Sequence, residues 1–332
     1  MLKLFYNYQE RRLRAAWRLA LQFLVFSLVG LLVSFVFSAV ASLVLVMRPG
    51  SPQDSASLAS ALLRSNFFRT AMGIGTLLAI LVSYWVASRW LDHRPMRAFG
   101  FHFSRHWWLD FLFGLGLGAL LMLCIFLAEL ALGWVQVTGT FFSADPQVPF
   151  GLGLLSNGLL FFCVGIYEEM LSRGYHLRNL AEGLNFPFPG PRAALVTAYL
   201  GSSAMFGLAH YSNPYSSWIS TLNLVVAGLF LGLGFILTGE LALSIGLHMS
   251  WNFFQGNVFG FPVSGLVADA SFITIQQHGP ELVTGGSFGP EAGLIGLAAI
   301  VLGSLLILLW VHRRVGRISF QTKLAEYPRA DG

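Results

Sequence analysis

The 332-residue chain is 55% hydrophobic and only 11% charged, whereas an ordinary soluble domain is about 25% charged. A soluble protein of this length could not solvate its surface with so few charges. The composition therefore excludes the soluble classes and predicts an all-α polytopic membrane protein. We therefore expect the lipid bilayer as a partner. The net charge of +5 is small, so we expect no nucleic acid. The two cysteines lie in apolar runs, so we expect no disulfide framework.

The apolar windows predict eight transmembrane helices, because a helix needs about 20 apolar residues to cross the hydrocarbon core. In chain order they are Leu19–Met47, Ala71–Leu91, Leu109–Val135, Phe150–Ser172, Ala193–His210, Trp218–Thr238, Leu241–Phe259 and Ala292–Val311. Basic residues concentrate at both chain ends and in the even-numbered connections, which predicts cytoplasmic N- and C-termini. The first connection, with Arg48, Arg64 and Arg69, is the exception.

Polar groups within the predicted spans concentrate in one part of the chain. Residues 1–148 form an N-terminal region of three spans with few such groups, and its Glu129 is interpreted as a hydrogen-bond partner between helices. Residues 149–260 form a four-span region that holds nearly all of the candidate chemistry. Residues 261–332 comprise a non-cytoplasmic loop, the last span and a basic cytoplasmic tail.

Two adjacent acids, Glu168 and Glu169, lie in the fourth predicted span, GLLFFCVGIYEEMLSRGYHL. An ionised carboxylate inside a bilayer costs at least about 2–3 kcal/mol. Glu169 and Arg173 share a helix face at i, i+4 with the acid first, which is the favourable order for an ion pair. Adjacent residues point about 100° apart, so Glu168 lacks this partner. We therefore predict that Glu169 is structural and that Glu168 faces a cavity as a general base.

The fifth and seventh predicted spans carry the other polar residues. Helical periodicity places Phe206 and His210 on one face of the fifth span, and His248 and Asn252 on one face of the seventh, where Gln255 continues the stripe. An imidazole and an amide can donate to an oxyanion. Each group also has a structural interpretation as a hydrogen-bond partner between helices. Three polar groups on three nearby spans favour one shared site.

Three motifs in this region resemble a known family when they are taken together and in order. EEMLSRG is similar to the EExxxR(G) motif, FGLAH to FxxxH, and HMSWN to HxxxN, of the CAAX-protease and bacteriocin-processing (CPBP) intramembrane endopeptidases. That family includes the type II CAAX prenyl proteases of the endoplasmic reticulum. The linking segment GLFLGLGFILTGELALSIGLH also looks like the family's glycine-rich span and short turn. The resemblance covers residues 150–260.

The resemblance implies an intramembrane endopeptidase that hydrolyses a peptide bond of a membrane-associated protein or peptide, in a prokaryotic plasma membrane. By this resemblance Glu168 and His210 activate water, while His248 and Asn252 stabilise the tetrahedral oxyanion. The residues expected to support the site structurally are Glu169, Arg173 and Phe206.

A metal is the open point of this interpretation, because the family has been described both as metalloproteases and as metal-independent glutamate proteases. We expect no cofactor. Glu168, His210 and His248 nevertheless also form a donor set for zinc, with water as the fourth ligand. Their spacing does not match the H-E-x-x-H pattern of soluble metalloproteases.

Two other classes of function use the same residues. A non-catalytic peptide-binding or bacteriocin-immunity protein would sequester a peptide in the cavity without cleaving it. A proton-coupled transporter would use intramembrane acids and histidines as a relay, but the sequence has no inverted repeat of the kind that transporters show.

Overall fold

The structure is a computed structural model that describes residues 4–47 and 54–327, most of which are helical. The helices are α1 (Ala15–Val46), α2 (Ser55–Arg64), α3 (Asn66–Val86), α4 (Arg105–Ala131), α5 (Phe150–Glu169), α6 (Arg178–Gly183), α7 (Pro191–Ala209), α8 (Trp218–Thr238), α9 (Ala242–Phe253), α10 (Glu281–Thr284) and α11 (Leu294–Val315). The strands are β1 (Tyr6–Asn7), β2 (Arg12–Leu13), β3 (Val135–Ser143) and β4 (Ala270–Gln277). Three helices, α3, α5 and α9, continue as π-helical segments over Ala87–Leu91, Met170–Leu177 and Phe254–Val258.

Six of the described helices are long and apolar enough to cross a membrane, as expected for an integral membrane protein. They are Ala15–Val46, Asn66–Leu91, Arg105–Ala131, Phe150–Gly183, Trp218–Thr238 and Leu294–Val315. The fifth and seventh predicted spans form α7 and α9, which are not among these six. The count of eight spans and the cytoplasmic termini therefore stay predictions.

The short helix α9 differs from a lipid-facing span because it lies in the centre of the molecule. Every residue from Ala242 to Trp251 is buried, and the helix packs against α4, α5 and α8. Its polar residues contact protein, so the helix does not need the hydropathy of a span that faces lipid.

Glycines allow α4 and α9 to approach closely. A Cβ added at Gly114 or Gly118 of α4 would overlap the α9 backbone, and one at Gly246 of α9 would overlap the Phe111 carbonyl of α4. Small residues at this spacing are typical of tightly packed helices in membranes. The contact fixes the helix that carries His248 and Asn252.

The structure is mostly helical, as the all-α prediction expected, and it departs from that prediction by a two-stranded antiparallel sheet of β3 and β4. The strand β3 follows the third predicted span, and β4 lies within the segment that we interpreted as a loop. Glu129, near the end of α4, accepts a hydrogen bond from Gln277 Nε2 of β4 at 2.8 Å. It is thus a structural partner as predicted, although its partner is a strand and not a helix.

Part of the basic N-terminal cluster is buried in ion pairs. Arg12 and Arg18 are 0% and 1% exposed, and both donate to Glu182 Oε2, at 2.8 and 3.1 Å. Arg94 donates to Glu182 Oε1 at 2.6 Å. Tyr327 covers this cluster, with its ring 3.4 Å from the Arg12 guanidinium carbon. The cluster anchors α6, which directly follows the helix of the two adjacent acids.

The glycine contact between α4 and α9 predicts a stability difference within one helix. Gly114→Ala should lower the free energy of unfolding by about 1–3 kcal/mol, because the added methyl group overlaps the backbone of α9. The matched control is Gly116→Ala, since a Cβ at Gly116 meets no atom within 4 Å. Thermal unfolding of both variants in detergent measures the difference, and equal stability would contradict the packing.

Candidate active site

The buried carboxylate of Glu169 connects two of the predicted polar groups. Its side chain is 0% exposed, and its Oε1 accepts hydrogen bonds from Arg173 Nη1 and His248 Nδ1, each at 2.8 Å. The predicted i, i+4 ion pair is therefore present, and the link to His248 of α9 is an addition that the helical spacing did not indicate.

Arg173 lies in the π-helical segment after α5 and extends the connection to two more helices. Its Nη2 donates to the Gly228 carbonyl of α8 at 2.7 Å. Its guanidinium lies over the Phe206 ring of α7, 4.6 Å from the ring centroid, in a cation–π arrangement. The arginine is 1% exposed, so its charge is compensated by protein and not by solvent.

Phe206 and His210 are brought together at the end of α7. Their ring centroids are 4.8 Å apart, and the Phe206 ring also lies 6.0 Å from the ring of His248. The Nδ1 atom of His210 is 2.8 Å from the Phe206 carbonyl oxygen. A ring nitrogen beside a carbonyl must carry the proton, so the Nε2 of a neutral His210 has a free lone pair.

Glu168 projects between the two histidines. Its Oε2 lies 3.9 Å from His210 Nε2 and 3.8 Å from His248 Nε2. Both distances exceed a hydrogen bond, and this buried oxygen has no hydrogen-bond partner among the described residues. A single bridging water fits separations of this size. The side chain of Glu168 is 21% exposed, so the two adjacent acids have different environments, as predicted.

These side chains line a cavity of about 1140 Å³. Glu168, His210, His248 and Asn252 all contribute to its wall, so the structure brings the four predicted catalytic residues to one cavity. Most of the other lining residues are apolar. They come from α1, α3, α5 with its π-helical segment, α7, α8, α9 and α11, and from the segment 263–268.

Gln255 does not continue the stripe of His248 and Asn252. It is 0% exposed and donates to the Pro262 carbonyl at 2.5 Å and to the Glu291 carboxylate. The reason for the error is the π-helical turn over Phe254–Val258, whose wider hydrogen-bond spacing breaks the 3.6-residue period. Gln255 holds the segment after α9 and is not part of the cavity wall.

The cavity has further polar residues that the sequence analysis did not single out. Asn157 of α5 and Arg69 of α3 line it, as do Ser264 and Glu291. Asn157 lies 11 residues before Glu168, which is close to three helical turns and therefore the same face. This spacing was the signal that could have found it. For Arg69 the signal was its position in the connection that departs from the positive-inside bias. In the structure, Arg69 forms an ion pair with Asp269.

The residues suggested as zinc ligands lie close together at the cavity. Within residues 4–47 and 54–327, no group of three or more His, Cys, Asp and Glu side chains is arranged to hold a metal ion. Glu168 Oε2 lies 3.8 and 3.9 Å from the Nε2 atoms of His248 and His210, and the zinc alternative stays a prediction.

Comparison with known proteins agrees with the motifs. Residues 151–254 match the sequence model of a family described as type II CAAX prenyl endopeptidase Rce1-like. The family resemblance is confirmed. The matched segment includes the four predicted catalytic residues Glu168, His210, His248 and Asn252, and the family is one of peptidases, which supports peptidase activity. No curated protein and no solved structure matches the chain.

Loss of the Arg173 charge should be more harmful than loss of the whole ion pair. Arg173→Met leaves the buried Glu169 carboxylate without its cation and should cost about 3–5 kcal/mol of unfolding free energy. The double variant Glu169→Gln/Arg173→Met should recover part of this loss. Thermal unfolding in detergent measures both, with the exposed Arg105→Met as control. A double variant less stable than Arg173→Met would contradict the compensation.

Proposed function

We propose that the protein is an intramembrane endopeptidase that cleaves a membrane-associated protein or peptide. One observation carries the proposal: Glu168 Oε2, which has no hydrogen-bond partner within residues 4–47 and 54–327, lies 3.8 and 3.9 Å from the Nε2 atoms of His248 and His210 in a large cavity. A carboxylate and two imidazoles around one water position are the groups that general acid–base hydrolysis needs. The family match over residues 151–254 supports the same reaction class.

Glu168 and His210 activate water in the proposed first step. The water donates one proton towards the Glu168 carboxylate and is oriented by the lone pair of His210 Nε2, which exists because Nδ1 faces the Phe206 carbonyl. The water oxygen attacks the peptide carbonyl carbon as the proton moves to Glu168. A tetrahedral intermediate with a negatively charged oxygen results.

His248 and Asn252 stabilise this oxyanion in the second part of the proposal. Glu169 holds His248 through Nδ1, so that Nε2 faces the cavity and, in the protonated ring, donates a hydrogen bond. Asn252, one turn further along α9, adds its amide N–H. Glu168 then transfers its proton to the leaving nitrogen, the C–N bond breaks, and a carboxylic acid and an amine are released. No metal takes part in these proposed steps.

The cavity supports a peptide substrate that is associated with a membrane. Its volume of about 1140 Å³ exceeds that of small-molecule pockets, which are roughly 300–1,000 Å³. The walls are largely apolar, and several of the helices that build them are long and apolar enough to cross a membrane. We propose the plasma membrane of a prokaryote as its location, with eight spans and both termini in the cytoplasm.

Removing the proposed base tests the function directly. Glu168→Gln keeps the shape of the side chain but cannot accept a proton, so cleavage of a trial peptide should fall at least about a hundredfold. The variant should remain folded, because Glu168 Oε2 has no hydrogen-bond partner in the described part of the chain. Peptide cleavage by purified protein in detergent is the measurement.

The control is Glu281→Gln, which changes an exposed acid away from the cavity and should leave cleavage unchanged. Unaltered proteolysis by Glu168→Gln would contradict the proposed mechanism. Wild-type protein that binds the peptide without cleaving it would favour the peptide-binding or bacteriocin-immunity function.

Asn252 should affect the chemical step more than binding. Asn252→Ala removes one proposed oxyanion donor and should lower kcat by about 10²–10³, with little change in KM. Asn185→Ala is the control, because that amide donates to the Ala325 carbonyl outside the cavity. Steady-state cleavage kinetics separate kcat from KM, and a pure KM effect at Asn252 would contradict its role.

A further inference from the structure

The cavity contains a second polar group on the same helix as Glu168. Asn157 of α5 is 3% exposed and lines the cavity. Its Nδ2 is buried and has no hydrogen-bond partner among residues 4–47 and 54–327. A buried amide donor without a partner is unfavourable for folding, so its retention calls for a partner that binds there.

Arg69 of α3 lies at the same level of the cavity as Asn157. The register of the two helices is fixed by Asn66 Nδ2, which donates to the Gly153 carbonyl at 3.2 Å, and by Thr70 Oγ1, which donates to the Ser156 carbonyl at 3.0 Å. Arg69 lies between these two contacts along α3. It lines the same cavity, and its Nε is also buried without a partner in the described part of the chain.

The charges indicate which chemistry fits these two donors. Arg69 is already paired with Asp269 through Nη2, so an anionic ligand would compete with an existing carboxylate. The Asn157 amide offers both a donor and an acceptor, which matches the C=O and N–H of a peptide group. A neutral peptide group therefore fits this place better than an ion.

We propose that Asn157 and Arg69 form a subsite that hydrogen-bonds a backbone peptide group of the substrate, remote from the bond that is cleaved. This inference rests on the proposed peptidase function. Phe161 and Val164 also line the cavity between Asn157 and Glu168 on the same face of α5, so they provide an apolar wall between the subsite and the reacting groups.

The helix sets the distance between the subsite and the reacting groups. Asn157 and Glu168 are 11 residues apart in the continuous helix Phe150–Glu169, which corresponds to about 16 Å at 1.5 Å per residue. An extended peptide covers about 3.3–3.6 Å per residue. The subsite thus holds a peptide group about five residues from the scissile bond, on one side of it.

A length series of peptides tests this subsite. Two series of peptides share one cleavable bond. One series is extended from that bond by two to eight residues on the N-terminal side, and the other on the C-terminal side. Cleavage of both series is measured for wild-type protein and for Asn157→Leu. We expect the wild-type kcat/KM to rise near five residues in one series only. Asn157→Leu should lower kcat/KM about tenfold for the long peptides and leave the short ones unchanged.

Two further variants separate binding from folding. Arg69→Lys keeps the charge opposite Asp269 but lacks Nε, and it should show the same length-dependent loss. Asn185→Leu is the control, because this asparagine donates to the Ala325 carbonyl and does not line the cavity. Any loss in Asn185→Leu should be equal at all lengths.

The outcomes distinguish this subsite from the peptidase function itself. A loss in Asn157→Leu that is equal at all lengths, or no loss at all, would overturn the subsite while cleavage by wild-type protein still supports the peptidase. If wild-type protein cleaves no peptide, the peptidase proposal fails. Binding of the same labelled peptides to Glu168→Gln, with and without Asn157→Leu, then decides the subsite by affinity, and equal affinities would refute it.

Discussion

The Glu169 carboxylate is the contact on which the positions of the other site residues depend. Its Oε1 accepts from both Arg173 and His248 at 2.8 Å, and charge-assisted hydrogen bonds of this kind offset the desolvation of a fully buried acid. Because Arg173 also contacts Gly228 and Phe206, the same carboxylate links α5, α7, α8 and α9. The ring of His248 can then face the cavity in one orientation only.

The neighbouring acid, Glu168, has a different environment, although the two residues are adjacent in the chain. Glu168 Oε2 has no hydrogen-bond partner among the described residues, and it lies where two imidazoles point. A polar atom kept unpaired in an apolar wall is unfavourable for folding and is retained where chemistry needs it. Asn157 repeats this pattern three turns earlier on the same face of α5, which extends the polar wall from the reacting groups along the cavity.

The outlying elements hold the ends of the helices that carry the site. Glu182, in α6 after the helix of the two adjacent acids, accepts hydrogen bonds from Arg12, Arg18 and Arg94. At another place, Gln255 is tied to Glu291, which also accepts from the Ser264 backbone N–H at 2.5 Å. Burial raises the pKa of Glu291, and its hydrogen bonds oppose that shift. These contacts give a structural role to several of the charged residues in a chain that is only 11% charged.

The sequence by itself determined the membrane class, the order of the motifs, the pairing of Glu169 with Arg173 and the different direction of Glu168, because all of these follow from composition and local helical periodicity. Tertiary structure decided the remaining contacts, since their partners lie far apart along the chain. Glu169 accepts a hydrogen bond from His248, which is 79 residues away in the chain. The strand β3 pairs with β4, which lies in a segment that we interpreted as a loop. Local periodicity also failed at Gln255, where a π-helical turn changes the spacing. The level of Arg69 beside Asn157 depends on the register of two packed helices, which no local pattern encodes.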